Sequence, residues 1–387
     1  MDFFLFLILS LCLSYNGVDA GREISMNQQH RILSKNNFNT VFATDDDDFD
    51  CVDIYKQPAF QHPLLKNHKI QMHPNLSIES TASSIRKTFR LQHHDEGCPP
   101  GKVPIQRIKS KNVIDAEFML PRHADVFHQF TKEFPGQHFA TMYTRAPYSF
   151  MPYHGARATV DIHNPSVEMN QFSMAQIWVQ NGHSSDLNSL QVGWGVHPRI
   201  YGDNLTRFTT YWTADNYQKT GCYNMMCPGF VQVHPTKRLG QSFKGISIIG
   251  GEQWVIDILI SQDKSTGNWW LTIYGDEKIG YWPKEIFTHL GDGANYLEYG
   301  GWTYNSPSGI SPPMGSGKFP SNNYTVACWF AQIRYVNEVY REDDVHRLNM
   351  VKYNTDANCY DLKYLFYAGK IFGHTFSFGG PGGNCIT

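Results

Sequence analysis

Residues Gly193 to Phe230 read GWGVHPRIYGDNLTRFTTYWTADNYQKTGCYNMMCPGF. Aromatic-rich runs of strand composition flank the turn Tyr201-Gly202-Asp203-Asn204, and Cys222 and Cys227 follow. Short aromatic and β-branched runs broken by Gly, Asn and Pro specify strands and tight turns. The same texture extends outward. Thr159–His163 places Val160 and Ile162 on one face, and Trp269–Tyr274 alternates Trp269, Leu271 and Ile273 against Trp270, Thr272 and Tyr274. Val255–Ile260 reads as a buried strand, and helical periodicity is scarce. From Gln137 onward about 250 residues of this kind fit one all-β domain, an antiparallel β-sandwich of two sheets.

The amino end carries an export signature. Phe3 to Leu13 form an apolar core too short to span a bilayer, and Val18-Asp19-Ala20 offers small residues for cleavage after Ala20. Asp2 stands where Lys or Arg is usual, so an uncleaved anchor is the alternative. Later segments lack the apolar run of a membrane helix, since even Gly245–Ile260 holds Glu252, Gln253 and Asp257. The expectation is a secreted, extracellular, soluble chain without membrane contact after signal cleavage. With 33 basic and 35 acidic residues and a formal charge of -2, the chain carries no footprint for nucleic acid or anionic lipid. The Asp45–Asp48 run is a solvated segment, without the alternating carboxylates and distal Glu of a calcium loop. The sequons at Asn75, Asn204 and Asn323 mark candidate glycosylation sites on the surface, whereas Pro165 excludes Asn164.

Of eight cysteines, Cys12 lies in the signal region, so an odd number enters the secretory pathway and one lacks an intramolecular partner. Sequence alone leaves the pairing open. No second close pair accompanies Cys222 and Cys227 to complete a metal site, which favours a loop-stapling disulfide. Seventeen histidines include no His-Glu-x-x-His motif, and His93-His94 sits in a polar loop. Gly245–Ile249 lacks the closing Gly of a nucleophile elbow, and Gly317-Lys318 lacks the upstream Gly of a phosphate loop. Neither a metal nor a cofactor is expected. Trp269, Trp270 and Trp282 read as sandwich core rather than a ligand platform.

A series of rarer motifs recurs in one order. It begins with DCVDIYKQPAFQHPLLKNH at Asp50–His68 and Cys98-Pro99-Pro100-Gly101, and continues with Gln176-Ile177-Trp178-Val179 and Gly267-Asn268-Trp269-Trp270. Gly280-Tyr281-Trp282-Pro283, Met314-Gly315-Ser316-Gly317 and Phe378-Gly379-Gly380-Pro381-Gly382 complete it. Together with Gly193–Phe230 these resemble the neprosin family, secreted glutamic peptidases best known in plants, in which two glutamates activate water for cleavage after proline. The resemblance covers nearly everything after residue 50. It implies a glutamic-peptidase, concanavalin-like sandwich with its site in a groove across the concave sheet. It also implies a signal peptide over 1–20, a leader and disulfide-closed activation-type pro-segment with linker over 21–136, and the sandwich over 137–387. The cut would fall between Val103 and Gln137. Order and resemblance favour disulfides Cys51–Cys98, Cys222–Cys227 and Cys359–Cys385, leaving Cys328, in TVACWFAQIRYV, a buried inert thiol.

The family chemistry needs a carboxylate that takes a proton from water and a polar group that stabilises the oxyanion. The family's first glutamate lies in Asn-x-Ile-Glu-x-Gly-Trp, which here reads Asn188-Ser189-Leu190-Gln191-Val192-Gly193-Trp194. The second ends Glu-Trp-Gly-Gly-Glu, which here reads Glu298-Tyr299-Gly300-Gly301-Trp302. By this matching Gln191 and Trp302 occupy the catalytic positions and both are substituted. A glutamine amide can donate to an oxyanion, and the related fungal peptidases pair Gln with Glu, but an indole accepts no proton. Glu298 is the alternative carboxylate; on an extended strand it shares a face with Trp302 at about 13 Å. The expectation is a catalytically impaired protein of this fold whose groove binds extended, proline-rich polypeptide. The alternative is an active acid peptidase cleaving after proline through Glu298 or another carboxylate. Carbohydrate binding follows from architecture by analogy alone.

Overall fold

In the computed structural model of the chain, residues 49–75, 97–107, 136–144, 152–183, 185–305 and 309–385 are described. The first strands are β1 Phe49–Asp53, β2 Lys102–Gln106, β3 Gln137–Thr144, β4 Gly155–Asp161, β5 Phe172–Asn181, β6 Asn188–Val196 and β7 Arg207–Thr213. They continue as β8 Cys222–Tyr223, β9 Val231–Gln232, β10 Val255–Gln262, β11 Trp269–Ile273, β12 Glu277–Trp282 and β13 Tyr296–Tyr304. The last are β14 Ile310–Ser311, β15 Cys328–Val336, β16 Glu342–Asp344, β17 Met350–Asn354, β18 Asp361–Tyr367, β19 His374–Gly379 and β20 Gly383–Asn384.

Two antiparallel sheets dominate. One runs β18-β19-β15-β4-β10-β11-β12-β9, with β16 added on β15, and the other runs β17-β3-β13-β5-β6-β7-β8. They stack face to face. A side chain added at Gly301 of β13 would strike Phe378 of β19 at 2.5 Å. The Tyr299 hydroxyl reaches across to donate to the Arg334 carbonyl at 2.9 Å, and the Trp194 indole to that of Asp161 at 2.7 Å. The expected β-sandwich is therefore the fold.

Strand alternation explains why these sequences form these layers. Ala156, Ala158 and Val160 of β4, with Ile256, Ile258 and Ile260 opposite them on β10, are buried between the sheets. Arg157, facing the other way, forms ion pairs with Asp257 at 2.6 Å and Glu342 at 2.9 Å. On the seven-stranded sheet, Tyr299 and Gly301 face the interior, so Glu298, Gly300 and Trp302 face outward. That outward face carries the candidate site.

The β1–β2 ribbon and the turns after it dock on the other sheet. Ala59 clusters with Val231, Val233, Trp270 and Tyr281, with Phe60 and Ile70 packed against them. Gln57 exchanges hydrogen bonds with the backbone of Gln232, and His68 meets the Tyr281 hydroxyl at 2.9 Å. Trp269 and Trp282 are fully buried core, as expected, but Trp270 is buried beneath this amino-terminal segment.

Disulfides join Cys51 to Cys98, Cys222 to Cys227 and Cys359 to Cys385, while Cys328 is free and buried. Asn204 and Asn323 are exposed, as is Asn75, whose side chain donates to Ser265. Residues 1–20, the Asp45–Asp48 run, His93-His94 and most of the linker before Gln137 lie outside the described residues. Burial and the neighbouring Asp161 push the Cys328 thiol well above its ordinary pKa. Alkylation without reductant should therefore label Cys328 only after denaturation, with peptide mapping recovering the three bridges. Labelling of the native protein would contradict this account.

Candidate active site

The ladder linking β3, β13, β5, β6 and β7 lays side chains in straight rows across the outward face. One row runs Tyr143, Glu298, Trp178, Gln191 and Tyr211, ending at Tyr223 of β8. Two residues further along, the next holds Thr141, Gly300, Gln176, Gly193 and Thr209. The third holds Phe139, Trp302, Met174, Gly195 and Arg207. An aromatic cluster of Phe139, Phe172, Trp178, Tyr211, Tyr223 and Trp302 lines this face. The Trp302 ring stacks on Phe139 with centroids 5.8 Å apart and meets Phe172 edge-on at 4.5 Å.

The register separates the two positions that motif matching joins. Gln191 lies opposite Trp178, whose other neighbour is Glu298, so Gln191 and Glu298 are two strands apart in one row, about 10 Å between Cα atoms. Trp302 lies opposite Met174, whose other neighbour is Gly195, four residues from that row, or about 13 Å along β13. Pairing on β13 is continuous from Tyr296 to Tyr304, so Gly300 and Gly301 do not draw the two rows together. Glu298, read from sequence as the alternative, is the carboxylate that shares the row of Gln191.

Glu298 is 1% exposed and its carboxylate is held on both oxygens. Thr141 donates to Oε1 at 2.5 Å and the Tyr296 hydroxyl to Oε2 at 3.2 Å. Gln191, 4% exposed, donates from Nε2 to the Tyr217 hydroxyl at 2.8 Å and to Ser189 Oγ at 3.5 Å. Tyr217 belongs to the loop between β7 and β8, and both it and Asn216 have left-handed backbone, with φ 59° and 55°. Such strain in non-glycine residues persists only where surroundings enforce it. Here the Asp215 carboxylate accepts from the backbone of Gln218, Lys219 and Thr220, and Thr213 Oγ1 accepts from the Tyr217 N–H. Burial, with the Glu298 charge adding to it, pushes the Tyr217 phenol up to about 12.

Two further groups escaped the sequence reading. Gln176 is fully buried; its Oε1 accepts from the Trp302 indole at 3.0 Å, and its Nε2 has no partner. His197 follows β6 at the start of the short helix α1, Pro198–Tyr201, and stacks on Phe172 at 5.1 Å. Both its ring nitrogens are buried without partners. Gln176 was visible only within a matched motif, and nothing local in the sequence signals His197 as an orphaned ring.

One group of metal-ligand type lies apart from these rows. Asp161, His163 and Cys328 bring ligand atoms within 4.8 Å of one another. Asp161 is already bonded to His163 Nε2 at 2.7 Å and to Ser247 Oγ at 2.6 Å, so the cluster is internally satisfied.

The chain is similar to known proteins in sequence and in structure. A family model described as Neprosin matches residues 169–381, and one described as Neprosin activation peptide matches residues 40–143. Among solved structures, the chain is similar to scytalido-glutamic peptidase with a peptide-based transition state analog, at 13% identity over 63% of this chain and 97% of that chain, with a TM-score of 0.35. It is also similar to SCP-B, a member of the Eqolisin family of peptidases in complex with the tripeptide Ala-Ile-His, at 12% identity over 63% and 96%, with a TM-score of 0.32.

The orphaned His197 has a measurable consequence. Burial first, and the Arg199 charge second, lower its pKa from 6.5 to about 3. Above the unfolded value the ring is neutral in both states and contributes no pH dependence. Below it the unfolded chain takes a proton that the folded chain refuses, so stability falls with pH by at most roughly 1.4 kcal/mol per unit. His197→Phe should flatten the decline of the urea midpoint between pH 6.5 and pH 4. An unchanged slope would refute this assignment.

Proposed function

The chain belongs to the neprosin family, and from that membership we propose that it is an acid peptidase acting on extended, proline-containing polypeptides, with Glu298 as its base and Gln191 as its oxyanion donor. The peptidase fold comes with the family; the activity is our reading. One observation carries it: the continuous register that sets Glu298, Trp178 and Gln191 in one row on an aromatic face.

Water held above Trp178, between Glu298 and Gln191, would lose a proton to Glu298 as its oxygen attacks the scissile carbonyl. One N–H of Gln191 would turn from Ser189, its partner at 3.5 Å, to donate to the oxygen that becomes negative, while Tyr217 fixes the amide through the other. Glu298 then returns the proton to the departing amide nitrogen, and the C–N bond breaks. Tyr217, ionising near 12, stays protonated throughout the acid range. The aromatic walls suit proline, whose extended helix loses little entropy on docking. Three disulfides fit a secreted protein, since such bonds persist in oxidising compartments.

A second reading, binding without cleavage, is favoured by one feature. Both Glu298 oxygens already accept hydrogen bonds, so a water must compete with Thr141 and Tyr296 for them. One assay separates the two. Protein freed of its amino-terminal segment is incubated at acidic pH with a proline-containing peptide. Cleavage is expected, with Glu298→Gln losing roughly a hundred- to ten-thousand-fold and Gln191→Leu roughly a hundred- to a thousand-fold. Binding without cleavage would support the second reading, and the absence of both would overturn each.

A further inference from the structure

We propose that Gln176 is a third polar group of this site, an amide donor to a carbonyl oxygen of the bound polypeptide, and that Trp302 is the residue that positions it. The proposal rests on the assignment of Glu298 and Gln191 above.

An indole N–H can only donate, so the atom of Gln176 that meets Trp302 at 3.0 Å must be the amide oxygen. That contact fixes the orientation of the amide and turns the NH₂ away from Trp302. The NH₂ is fully buried and has no partner. Buried donors are almost always satisfied, because leaving one unpaired costs stability. A glutamine held so that its acceptor is paired and its donor is not has the form of a site awaiting a carbonyl.

Placement points the same way. On its own row Gln176 is flanked by Gly300 and Gly193, neither of which sets a side chain beside it. Each neighbouring strand places one member of the pair two residues along, Glu298 on β13 and Gln191 on β6. From strand spacing and rise, the Gln176 Cα lies about 8 Å from each of theirs. Three side chains of similar length thus stand at the corners of one triangle, with a carboxylate, an amide held by Tyr217 and an amide held by Trp302. Two residues along an extended chain span about 6.7 Å, so a polypeptide crossing between Glu298 and Gln191 presents a carbonyl near the Gln176 row. Trp302 thereby gains a role that no proton acceptor is needed to fill.

The test uses the full chain after removal of its amino-terminal segment, in the variants Gln176→Leu, Trp302→Phe and the double variant. Cleavage of a proline-containing peptide should fall roughly a hundredfold in Gln176→Leu, chiefly in kcat, with the pH profile unmoved because no titrating group is lost. Trp302→Phe keeps the ring stack but removes the N–H, and should fall about tenfold. The double variant should be no worse than Gln176→Leu alone, since both act through one hydrogen bond.

In parallel, a peptide analogue with a tetrahedral hydroxyl-bearing centre at the scissile position should bind Gln176→Leu at least tenfold more weakly. An analogue with the same centre but a methylene in place of the carbonyl two residues along should bind both proteins equally. This binding comparison needs no turnover, so it judges Gln176 even if the unmodified protein cleaves nothing. Equal affinity of the tetrahedral analogue for both proteins, or additive losses in the double variant, would overturn the proposal. Undiminished cleavage by Glu298→Gln would instead defeat the underlying site assignment.

Discussion

Continuous antiparallel pairing of β13 with β5, and of β5 with β6, is the constraint on which the remaining structure depends. A slip of one residue in either ladder would turn Glu298 or Gln191 into the sandwich interior and bring Tyr299 or Val192 out. Such a slip is opposed by the opposite face. Tyr299, Gly301, Ile177, Val192 and Trp194 are packed between the sheets, and Gly301 has Phe378 against it where any side chain would clash. The apolar interior thus sets the register, and the register sets which polar groups meet on the outer face.

What meets there is costly for a folded protein to keep. The outer face of the seven-stranded sheet buries a carboxylate, two glutamines, a histidine with both nitrogens unpaired and a tyrosine hydroxyl, that of Tyr211, without a partner. Asn216 and Tyr217 add backbone strain beside them. A core built only for stability would hold few of these, since burying polar groups is costly and Gln176, His197 and Tyr211 leave hydrogen bonds unmade. Their gathering on one outward face, beside the row of Glu298 and Gln191, fits a site better than a scaffold. The β1–β2 ribbon and the turns after it pack on the other sheet, and their contacts there stabilise the sandwich.

Strand alternation was legible because it is local: Val160 and Ile162, or Trp269 against Trp270, announce their faces within a few residues. The separation of Glu298 from Trp302 was equally legible, being only a rise per residue along one strand. Which residue of β13 shares the row of Gln191 was not. Cross-strand partners are fixed by pairings more than a hundred residues apart in sequence, as between Glu298 and Trp178, and no single strand encodes them. Motif matching pairs Gln191 with Trp302, and the ladder sets Glu298 in the row of Gln191. Tyr217 was hidden for a similar reason, because its turn forms only when Asp215 gathers the surrounding N–H groups. The burial of Trp270 under the amino-terminal segment likewise depends on a docking that alternation cannot reveal.

The central claim is that the row of Glu298, Trp178 and Gln191 is where a polypeptide is held and attacked. The most direct measurement is a crystal structure of the protein, freed of its amino-terminal segment, with a peptide inhibitor bearing a tetrahedral hydroxyl centre. The account predicts that hydroxyl above Trp178, within hydrogen-bonding distance of the Glu298 carboxylate and the Gln191 amide. An inhibitor centred on Trp302 beyond reach of Glu298, or bound on the nine-stranded sheet, would contradict it.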